Sequence, residues 1–366
     1  MRVKSIKLHN FRSYGLYEAE FSARGTVILG PNGTGKTNLL EAVYVALRGT
    51  SFRSSLANCI KHDAEQTNIL LETDDQTRRI QLLREGQRIS KTFSVNDQKS
   101  KLLASKNRLP VVLFEPNELR LITSSPTRRR DFLDGFIARI DSRYERILRA
   151  FNRTLLQRNE LLKKHAEDKS LWRDHLFAWD VKFVQLASQV ASSRAAFLYT
   201  HEVRLGEIYS LLAGKKTDFS IEYLPSVAMD NYEQLLLERL SRSRDYEIAT
   251  GHTSCGSQRE DFLISLHNQP AIKVASRGEM RTIMLAFKLL ELDLQTEVYN
   301  TEPIILMDDV FSELDSTREK LLQETIKNHQ FIVTTTDARH NDIPGGIIIT
   351  PEAALHQDAL ERSPSH

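Results

Sequence analysis

Short apolar runs separated by turn residues fill the first 115 residues of the chain, a pattern typical of β-strands. The pattern predicts strands at residues 3–9, 18–22, 26–29, 68–72, 79–84, 87–95 and 111–114. Apolar positions at helical spacing from Asn38 to Leu47 predict one helix directly after the strand at 26–29. We therefore expect one strand–helix unit accompanied by short antiparallel strands.

The middle of the chain has a helical pattern, because neither Gly nor Pro occurs between Phe136 and Leu205. Apolar residues recur there in steps of four and three, as in a heptad seam. This seam consists of Trp172, Leu176, Trp179, Phe183, Leu186, Val190 and Phe197. We predict an antiparallel pair of long helices that turns near Ala166–Ser170. The pair either projects as an arm or packs on the core as a helical bundle.

Strands and helices alternate again after about residue 217. The pattern predicts strands at 218–224, 261–266, 303–307, 331–335 and 347–349, and helices at 279–294 and 316–327. Such alternation is typical of a parallel sheet covered by helices. The chain is therefore predicted to have an α/β fold.

A glycine-rich segment between the strand at 26–29 and its helix matches the phosphate-loop pattern G-x-x-x-x-G-K-[ST], the Walker A motif. Backbone N–H groups of such a loop cradle phosphates at a helix N-terminus. Lys36 is expected to reach the β- and γ-phosphates, and the Thr37 hydroxyl to bind Mg²⁺. The candidate ATP-binding residues are Gly30, Pro31, Asn32, Gly33, Thr34, Gly35, Lys36 and Thr37.

An apolar strand that ends in two carboxylates, Ile304–Asp309, has the form of a Walker B element. Asp308 would hold Mg²⁺, and Asp309 would orient or deprotonate the attacking water. The predicted catalytic residues are therefore Lys36, Asp308 and Asp309, and the predicted metal ligands are Thr37 and Asp308. Asp309 is shorter than the Glu that is commoner at this position, so a protein that binds ATP without hydrolysing it remains an alternative.

A second helix start carries Ser276, Gly278 and Glu279. A small residue and a glycine at a helix start expose N–H groups to a phosphate. The alternative is a turn with an ordinary N-cap.

Composition adds little to this prediction. The formal net charge is +2, so a nucleic-acid surface would have to be local. No apolar run is long enough for a membrane span, and the N-terminus lacks the apolar core of a signal peptide. The two cysteines, Cys59 and Cys255, lie far apart, so we expect a cytoplasmic protein.

Basic residues concentrate in the first predicted arm helix. They are Arg139, Arg143, Arg146, Arg149, Arg153, Arg158, Lys163 and Lys164, with Arg128, Arg129 and Arg130 just upstream. Such a run is either a solvated helix face or a surface that follows nucleic-acid phosphates. The candidate DNA-binding residues are Arg128, Arg129, Arg130, Arg146, Arg149 and Arg153.

The order of these motifs resembles the ATP-binding cassette class, in particular the branch with helical arms inserted between two ATPase lobes. Three runs make the resemblance to the RecF family of bacterial DNA replication and repair ATPases more specific. They are Leu8–Tyr14 (LHNFRSY), Phe114–Leu119 (FEPNEL) and Ser125–Asp134 (SPTRRRDFLD). The resemblance covers nearly the whole chain.

The resemblance implies an ABC/SMC-type P-loop ATPase head with two lobes and an inserted α-helical arm. Residues 1–125 would form the N-terminal lobe, 126–215 the arm, 216–350 the C-terminal lobe, and 351–366 a flexible tail. ATP would drive homodimerisation, with Ser276, Gly278 and Glu279 of one subunit completing the other subunit's ATP site.

The resemblance also implies binding to duplex, gapped or junction DNA and cooperation with the RecR and RecO mediators. Arg12 would lie near the nucleotide, although a structural salt bridge is an alternative. Asn32 would face the γ-phosphate or the partner, although asparagine also suits this turn.

One segment departs from the family pattern, and two other protein classes are alternatives. The segment Thr253–Asp261 departs from the family pattern, with Ser257, Gln258 and Glu260 replacing Pro, His and Asp. An ABC transporter ATPase subunit is a second interpretation of the motifs, but the long helical insertion argues against it. A fused nuclease would need a further domain, for which no sequence remains.

Overall fold

The computed structural model describes residues 1–86, 88–116, 118–165, 173–337 and 346–351. Internal contacts divide the chain into two compact units. The first unit comprises Met1–Glu118 and the described residues from Glu291 onward, and the second comprises Leu119–Leu290. The domain boundaries expected from the sequence stay a prediction, and the expected tail and the turn at Ala166–Ser170 lie outside the described residues, apart from Pro351.

The first unit begins with an antiparallel sheet and the strand–helix unit that the sequence predicts. Its N-terminal elements are β1 (Val3–Phe11), β2 (Tyr14–Glu20), β3 (Gly25–Leu29), α1 (Lys36–Arg48), β4 (Gln66–Thr73), β5 (Thr77–Glu85), β6 (Arg88–Val95), β7 (Gln98–Ser100) and β8 (Val111–Phe114). Side chains on β1, β4 and β5 alternate between buried and exposed, because one sheet face packs on the core and the other meets water.

The second unit is mainly helical. Its elements are α2 (Pro126–Ile140), α3 (Ser142–His165), α4 (Arg173–Ala213), β9 (Phe219–Leu224), α5 (Tyr232–Arg242), α6 (Arg244–Thr250), β10 (Asp261–Leu266), β11 (Gln269–Pro270) and α7 (Ala271–Val274). The predicted pair of long helices is confirmed as α3 and α4, which pack against each other through Phe151 and Phe183.

The chain then returns to the first unit through α8 (Arg277–Tyr299), which runs across the boundary at residue 290. The remaining elements are β12 (Ile304–Asp308), α9 (Ser316–Ile326), β13 (Phe331–Thr335) and β14 (Ile347–Ile349). None of the described helices is long and apolar enough to cross a membrane.

Two sheets organise the first unit among the described residues. The antiparallel sheet has the order β2-β1-β4-β5-β6-β7, and the parallel sheet has the order β14-β3-β13-β12-β8. The strands β3, β12 and β13 are buried almost throughout, as expected for the interior of a parallel sheet. Since parallel strands end at the same edge, the segments after β3, β12 and β13 meet there.

The prediction for two of the strands is wrong. The strands at 218–224 and 261–266 were expected in the parallel sheet, but β9 and β10 pair with each other antiparallel, in the separate sheet β11-β10-β9 of the second unit. Side chains of β10 alternate between buried and partly exposed, whereas a strand covered on both faces would be buried throughout.

Candidate functional site

The phosphate-binding loop lies between β3 and α1 and needs its glycines. Gly33 and Gly35 have φ values of 86° and 99°, which L side chains rarely adopt. A Cβ on Gly35 would also lie 2.9 Å from the hydroxyl of Tyr14, which donates a hydrogen bond to the Gly35 carbonyl at 3.0 Å. Tyr14 therefore fixes the loop from β2, a role that sequence reasoning missed.

The Lys36 ammonium lies inside the loop. Its Nζ donates to the carbonyl oxygens of Gly30 at 2.6 Å and Pro31 at 2.8 Å. Burial lowers the pKa of Lys36, and the carboxylates of Asp309 and Asp308 offset only part of that effect. A phosphate group would offer this ammonium charged acceptors, which bind it more strongly than neutral carbonyls do.

The other loop residues frame this position. Asn32 is exposed at the crest of the loop, and Pro31 beside it is exposed as well. The Thr34 hydroxyl donates to the Pro31 carbonyl at 3.0 Å and so stabilises the turn. The loop thus has the form expected of a phosphate cradle, whereas the roles of single residues toward a nucleotide stay predictions.

The Walker B carboxylate meets the Walker A hydroxyl. Thr37 Oγ1 donates to Asp308 Oδ1 at 2.8 Å, and Thr334 Oγ1 donates to the same oxygen at 2.8 Å. This contact joins residues 271 positions apart in the chain. Thr334 therefore orients Asp308 from the neighbouring strand β13. Sequence reasoning did not assign this role to Thr334, although its position at the end of an apolar strand could have indicated it.

Asp309 occupies a special backbone position. Its φ is 50°, the left-handed region that is uncommon for residues other than glycine. Its N–H lies 3.1 Å from the carbonyl and 3.0 Å from the hydroxyl oxygen of Thr334. These contacts hold Asp309 directly after Asp308 at the carboxyl edge of the sheet.

The donor set fits a magnesium ion. Mg²⁺ prefers oxygen ligands and is usually held by one or two carboxylates together with substrate phosphates. Thr37 supplies a hydroxyl and Asp308 a carboxylate oxygen at this edge. Within the described residues, no group of three or more His, Cys, Asp or Glu is arranged as a metal site, so a metal here would depend on phosphate oxygens as well.

Arg12 forms a salt bridge with the Walker A helix. Its Nε and Nη2 donate to the Glu41 carboxylate at 2.9 and 2.6 Å, and Nη2 also donates to Ser54 at 2.7 Å. Burial acts to lower the pKa of Arg12, but the hydrogen bonds and charge of the buried Glu41 outweigh it, so the pKa is raised. The structural salt bridge that was the alternative is present, and a role of Arg12 toward a nucleotide stays a prediction.

The predicted signature residues lie at the start of α8, in the second unit. Ser276 and Glu279 form a reciprocal capping box: Ser276 N–H donates to Glu279 at 2.9 Å, and Glu279 N–H donates to Ser276 Oγ at 3.2 Å. The backbone hydrogen bond from Ser276 lowers the pKa of Glu279. Gly278 lies in the same first turn, so the N-cap given as the alternative is present, and contact of these residues with a nucleotide stays a prediction.

The basic residues at the start of α2 differ in their surroundings. Arg128 is exposed. Arg129 forms a two-point ion pair with Asp261, and Arg130 donates to the Glu260 carbonyl at 2.9 Å. Two of the three candidate DNA-binding residues here thus have protein partners, and DNA binding by all three stays a prediction.

The arm residues also divide into two groups. Arg146, Arg149 and Arg153 are exposed on one face of α3. Arg158 is buried, with 1% of its surface exposed, and pairs with Asp180 and Glu247. The prediction that Arg158 belongs to an exposed basic face is wrong, because the two buried carboxylates draw it into the interior of the second unit.

The divergent segment Thr253–Asp261 is a structural connector of the second unit. The Thr253 hydroxyl contacts Arg158 and Asn159 at 2.7 Å each. Glu260 accepts hydrogen bonds from Ser226 and from the hydroxyls of two tyrosines, Tyr223 and Tyr232. The longer Glu260 side chain, which departs from the family pattern, thereby gathers β9, the start of α5 and β10 around one carboxylate.

Comparison with known proteins agrees with this arrangement. Residues 2–343 match the family model "RecF/RecN/SMC N terminal domain". The chain is 32% identical to the DNA replication and repair protein RecF of Clostridium tetani, over 92% of this chain and 93% of that protein. It is 33% identical to the protein of the same name from Lachnoclostridium phytofermentans, with 92% and 93% covered.

The solved structures that this chain resembles belong to the same family. The recombination mediator protein RecF of the RecFOR pathway, solved as RecF-ATPrS, has a TM-score of 0.81 and 30% identity, with 92% of each chain covered. The corresponding RecF-ATP structure has a TM-score of 0.80. The fold is therefore that of an SMC-type ATPase head, and the chain belongs to the RecF family of the RecF/RecN/SMC proteins.

Proposed function

We propose that this protein is an ATP-dependent DNA-binding protein of DNA replication and recombinational repair, and that it hydrolyses ATP slowly with Mg²⁺. The observation that carries the proposal is the contact of Thr37 with Asp308 beside the Lys36 ammonium. This contact assembles the phosphate loop and the Walker B carboxylate at one edge of the parallel sheet. The RecF-ATP neighbour supports ATP as the nucleotide.

The chemistry at this site would be mainly positioning and charge neutralisation. Thr37 and Asp308 would hold Mg²⁺, which neutralises phosphate charge when it is bound. Lys36 would leave its two carbonyl acceptors for phosphate oxygens. Asp309 would orient or deprotonate the attacking water. Its carboxylate follows Asp308 directly, and its backbone is held by Thr334.

ATP would also act as a switch between monomer and homodimer. Ser276, Gly278 and Glu279 of one subunit would approach the γ-phosphate bound to the other, since the positive end of the α8 helix dipole lies at this turn. Hydrolysis would remove the phosphate that bridges the subunits, and the dimer would separate.

DNA would bind to exposed arginines of the second unit. Arg128 and the α3 residues Arg146, Arg149 and Arg153 are the best placed, because their side chains are exposed. Arg129 and Arg130 would contribute less, since they already bind Asp261 and Glu260. The preferred DNA would be duplex with a gap or junction. The RecFOR pathway named for the similar RecF structure supports RecO and RecR as partners.

The decisive experiment measures steady-state ATP hydrolysis with Mg²⁺, with and without gapped duplex DNA, for wild type and Lys36→Met. We expect a slow rate that rises with DNA and falls by about 100-fold in the variant, because an ammonium that contacts the phosphates is lost. The control is Lys99→Met, an exposed lysine of β7, which should keep the wild-type rate. A rate that Lys36→Met leaves unchanged would contradict the proposed site, and ATP binding without turnover would favour a scaffold.

A further inference from the structure

A cleft of about 470 Å³ lies between the two long helices of the second unit. It is lined by Arg149, Ala150, Arg153, Thr154 and Gln157 of α3 and by Lys182 of α4. Three of these six side chains are cationic, and none is a carboxylate. The lining therefore combines positive charge with a hydroxyl and an amide, which are the groups that bind phosphate oxygens.

The cations of the cleft differ from the other arginines of the second unit. Arg129, Arg158 and Arg194 are each paired with a carboxylate inside the fold. In contrast, no salt bridge to Arg153 or Lys182 occurs among the described residues. Arg149 pairs with Glu145, one turn away on α3. Among the described residues, two of the three charges in the cleft therefore have no carboxylate partner.

Two aromatic contacts lie beside the cleft, one between α3 and α4 and one with Lys182. Phe151 of α3 lies 5.5 Å from Phe183 of α4, ring centre to ring centre, so the two helices are locked together next to the cleft. Lys182 itself lies over the ring of Trp179, with its Nζ 5.2 Å from the ring centre. This cation–π contact restrains the side chain, which is exposed to solvent.

The spacing along α3 suits a nucleic-acid backbone. Arg146, Arg149 and Arg153 follow one another at steps of three and four, so they share a helix face. They span about 10 Å along the axis at ~1.5 Å per residue, and three nucleotide steps of a B-DNA strand cover about the same length. The three arginines can therefore follow the phosphates of one DNA strand.

We propose that this two-helix cleft binds the phosphate backbone of duplex DNA, with Arg153 and Lys182 holding one phosphate between α3 and α4. Lys182 is the residue that this proposal adds. It lies on α4, so the cationic lining comes from both helices and not from α3 alone. Contacts to phosphates carry no base information, so binding at the cleft is independent of sequence. This inference rests on the proposed DNA-binding function and names where the backbone is held.

The test is the affinity for a fluorescent 30-base-pair duplex, measured by anisotropy at several salt concentrations. Lys182→Ala should weaken binding by about threefold to tenfold and reduce the slope of log K against log salt by about 0.9, the value for one lost phosphate contact. Two duplexes of unrelated sequence should show the same loss. Lys182→Arg keeps the charge and should retain most of the affinity, and Lys99→Ala should behave as wild type.

A double variant tests whether the two helices share one phosphate. If they do, Arg153→Ala with Lys182→Ala should lose less affinity than the product of the single losses, because either change already opens the cleft. Independent, fully multiplicative losses would overturn the shared phosphate.

The outcomes separate this inference from the function on which it rests. If wild type does not bind duplex DNA at low salt, the proposed function itself fails. If wild type binds and Lys182→Ala keeps its affinity and salt slope, only the cleft is wrong.

Discussion

Asp308 illustrates how much of this site depends on single side chains. One of its oxygens accepts hydrogen bonds from Thr37, at the start of α1, and from Thr334, at the end of β13. The two hydroxyls fix the carboxylate from both sides, so that a metal ligand is oriented before any metal binds. Tyr14 gives similar support to the phosphate loop through the Gly35 carbonyl. Thr334 and Tyr14, which the motifs do not include, thus position the site through hydrogen bonds as specific as that of Thr37.

A residue away from the site leads to a pH prediction. Burial lowers the pKa of His329, although the charges of Glu302 and Asp293 and a hydrogen bond with the Pro303 backbone act in the opposite direction. As the pH falls below about 6.5, the unfolded chain takes up this proton before the folded protein does, so the stability contributed by the neutral imidazole is lost.

The measurement compares wild type with His329→Gln in urea unfolding between about pH 8 and pH 5.5. Any advantage of wild type in free energy of unfolding should shrink as the pH falls. The control is Asn328→Gln, at an exposed neighbouring position whose side chain does not titrate, and its difference from wild type should stay constant. A wild-type advantage that grows toward acid pH would contradict the prediction.

At the scale of elements, α3 serves two purposes with neighbouring arginines. Its buried side carries Arg158, which bonds Asp180 of α4, Glu247 of α6 and the hydroxyl of Thr253. Its exposed side carries Arg153, which lines the cleft. The positions differ by five residues, which places them on different faces of the helix. A basic run in the sequence thus contains both a structural and a binding residue.

This division predicts that two similar substitutions change the free energy of unfolding by very different amounts. Arg158→Met should lower the free energy of unfolding by about 3 kcal/mol, because it leaves two buried carboxylates uncompensated. Arg153→Met should change it by less than about 0.5 kcal/mol, since the side chain is exposed. Thermal unfolding followed by circular dichroism measures both. Equal melting temperatures for the two variants would refute the structural role of Arg158.

At the scale of the whole molecule, the Walker residues and the signature residues belong to different compact units. The P-loop, Asp308 and Asp309 lie in the first unit, whereas Ser276, Gly278 and Glu279 begin α8 in the second. Completion of the nucleotide site by a second subunit therefore remains the proposal with the largest consequence, since it would couple ATP to assembly.

The corresponding prediction concerns ATP-dependent dimerisation. Ser276→Arg should abolish most dimer formation with ATP, because a bulky side chain would occupy the surface offered to the partner's phosphate. Sedimentation or light scattering with ATP, in an Asp309→Asn background expected to hydrolyse slowly, measures the dimer. Ser276→Asp keeps an N-cap but adds negative charge, so it should fold normally and also dimerise poorly. A wild-type dimer fraction in both variants would exclude this surface.

Local patterns were sufficient to predict most elements and the nucleotide motifs. The glycines of the phosphate loop, the apolar strand before Asp308 and the Gly- and Pro-free run that forms α3 and most of α4 are properties of short segments. Their physical causes, backbone freedom and the periodic burial of apolar side chains, act between near neighbours. The sequence by itself therefore determined the fold class, the Walker residues and the existence of the helical pair.

Tertiary structure alone decided which residues support one another. The pairing of Thr334 with Asp308 follows from strand order, which places β13 beside β12. The separation of β9 and β10 from the parallel sheet, the burial of Arg158 and the contribution of Lys182 to a cleft likewise depend on partners distant in the chain. A charge or a hydroxyl looks alike in any sequence, and its role is set by the groups that folding brings within hydrogen-bond distance.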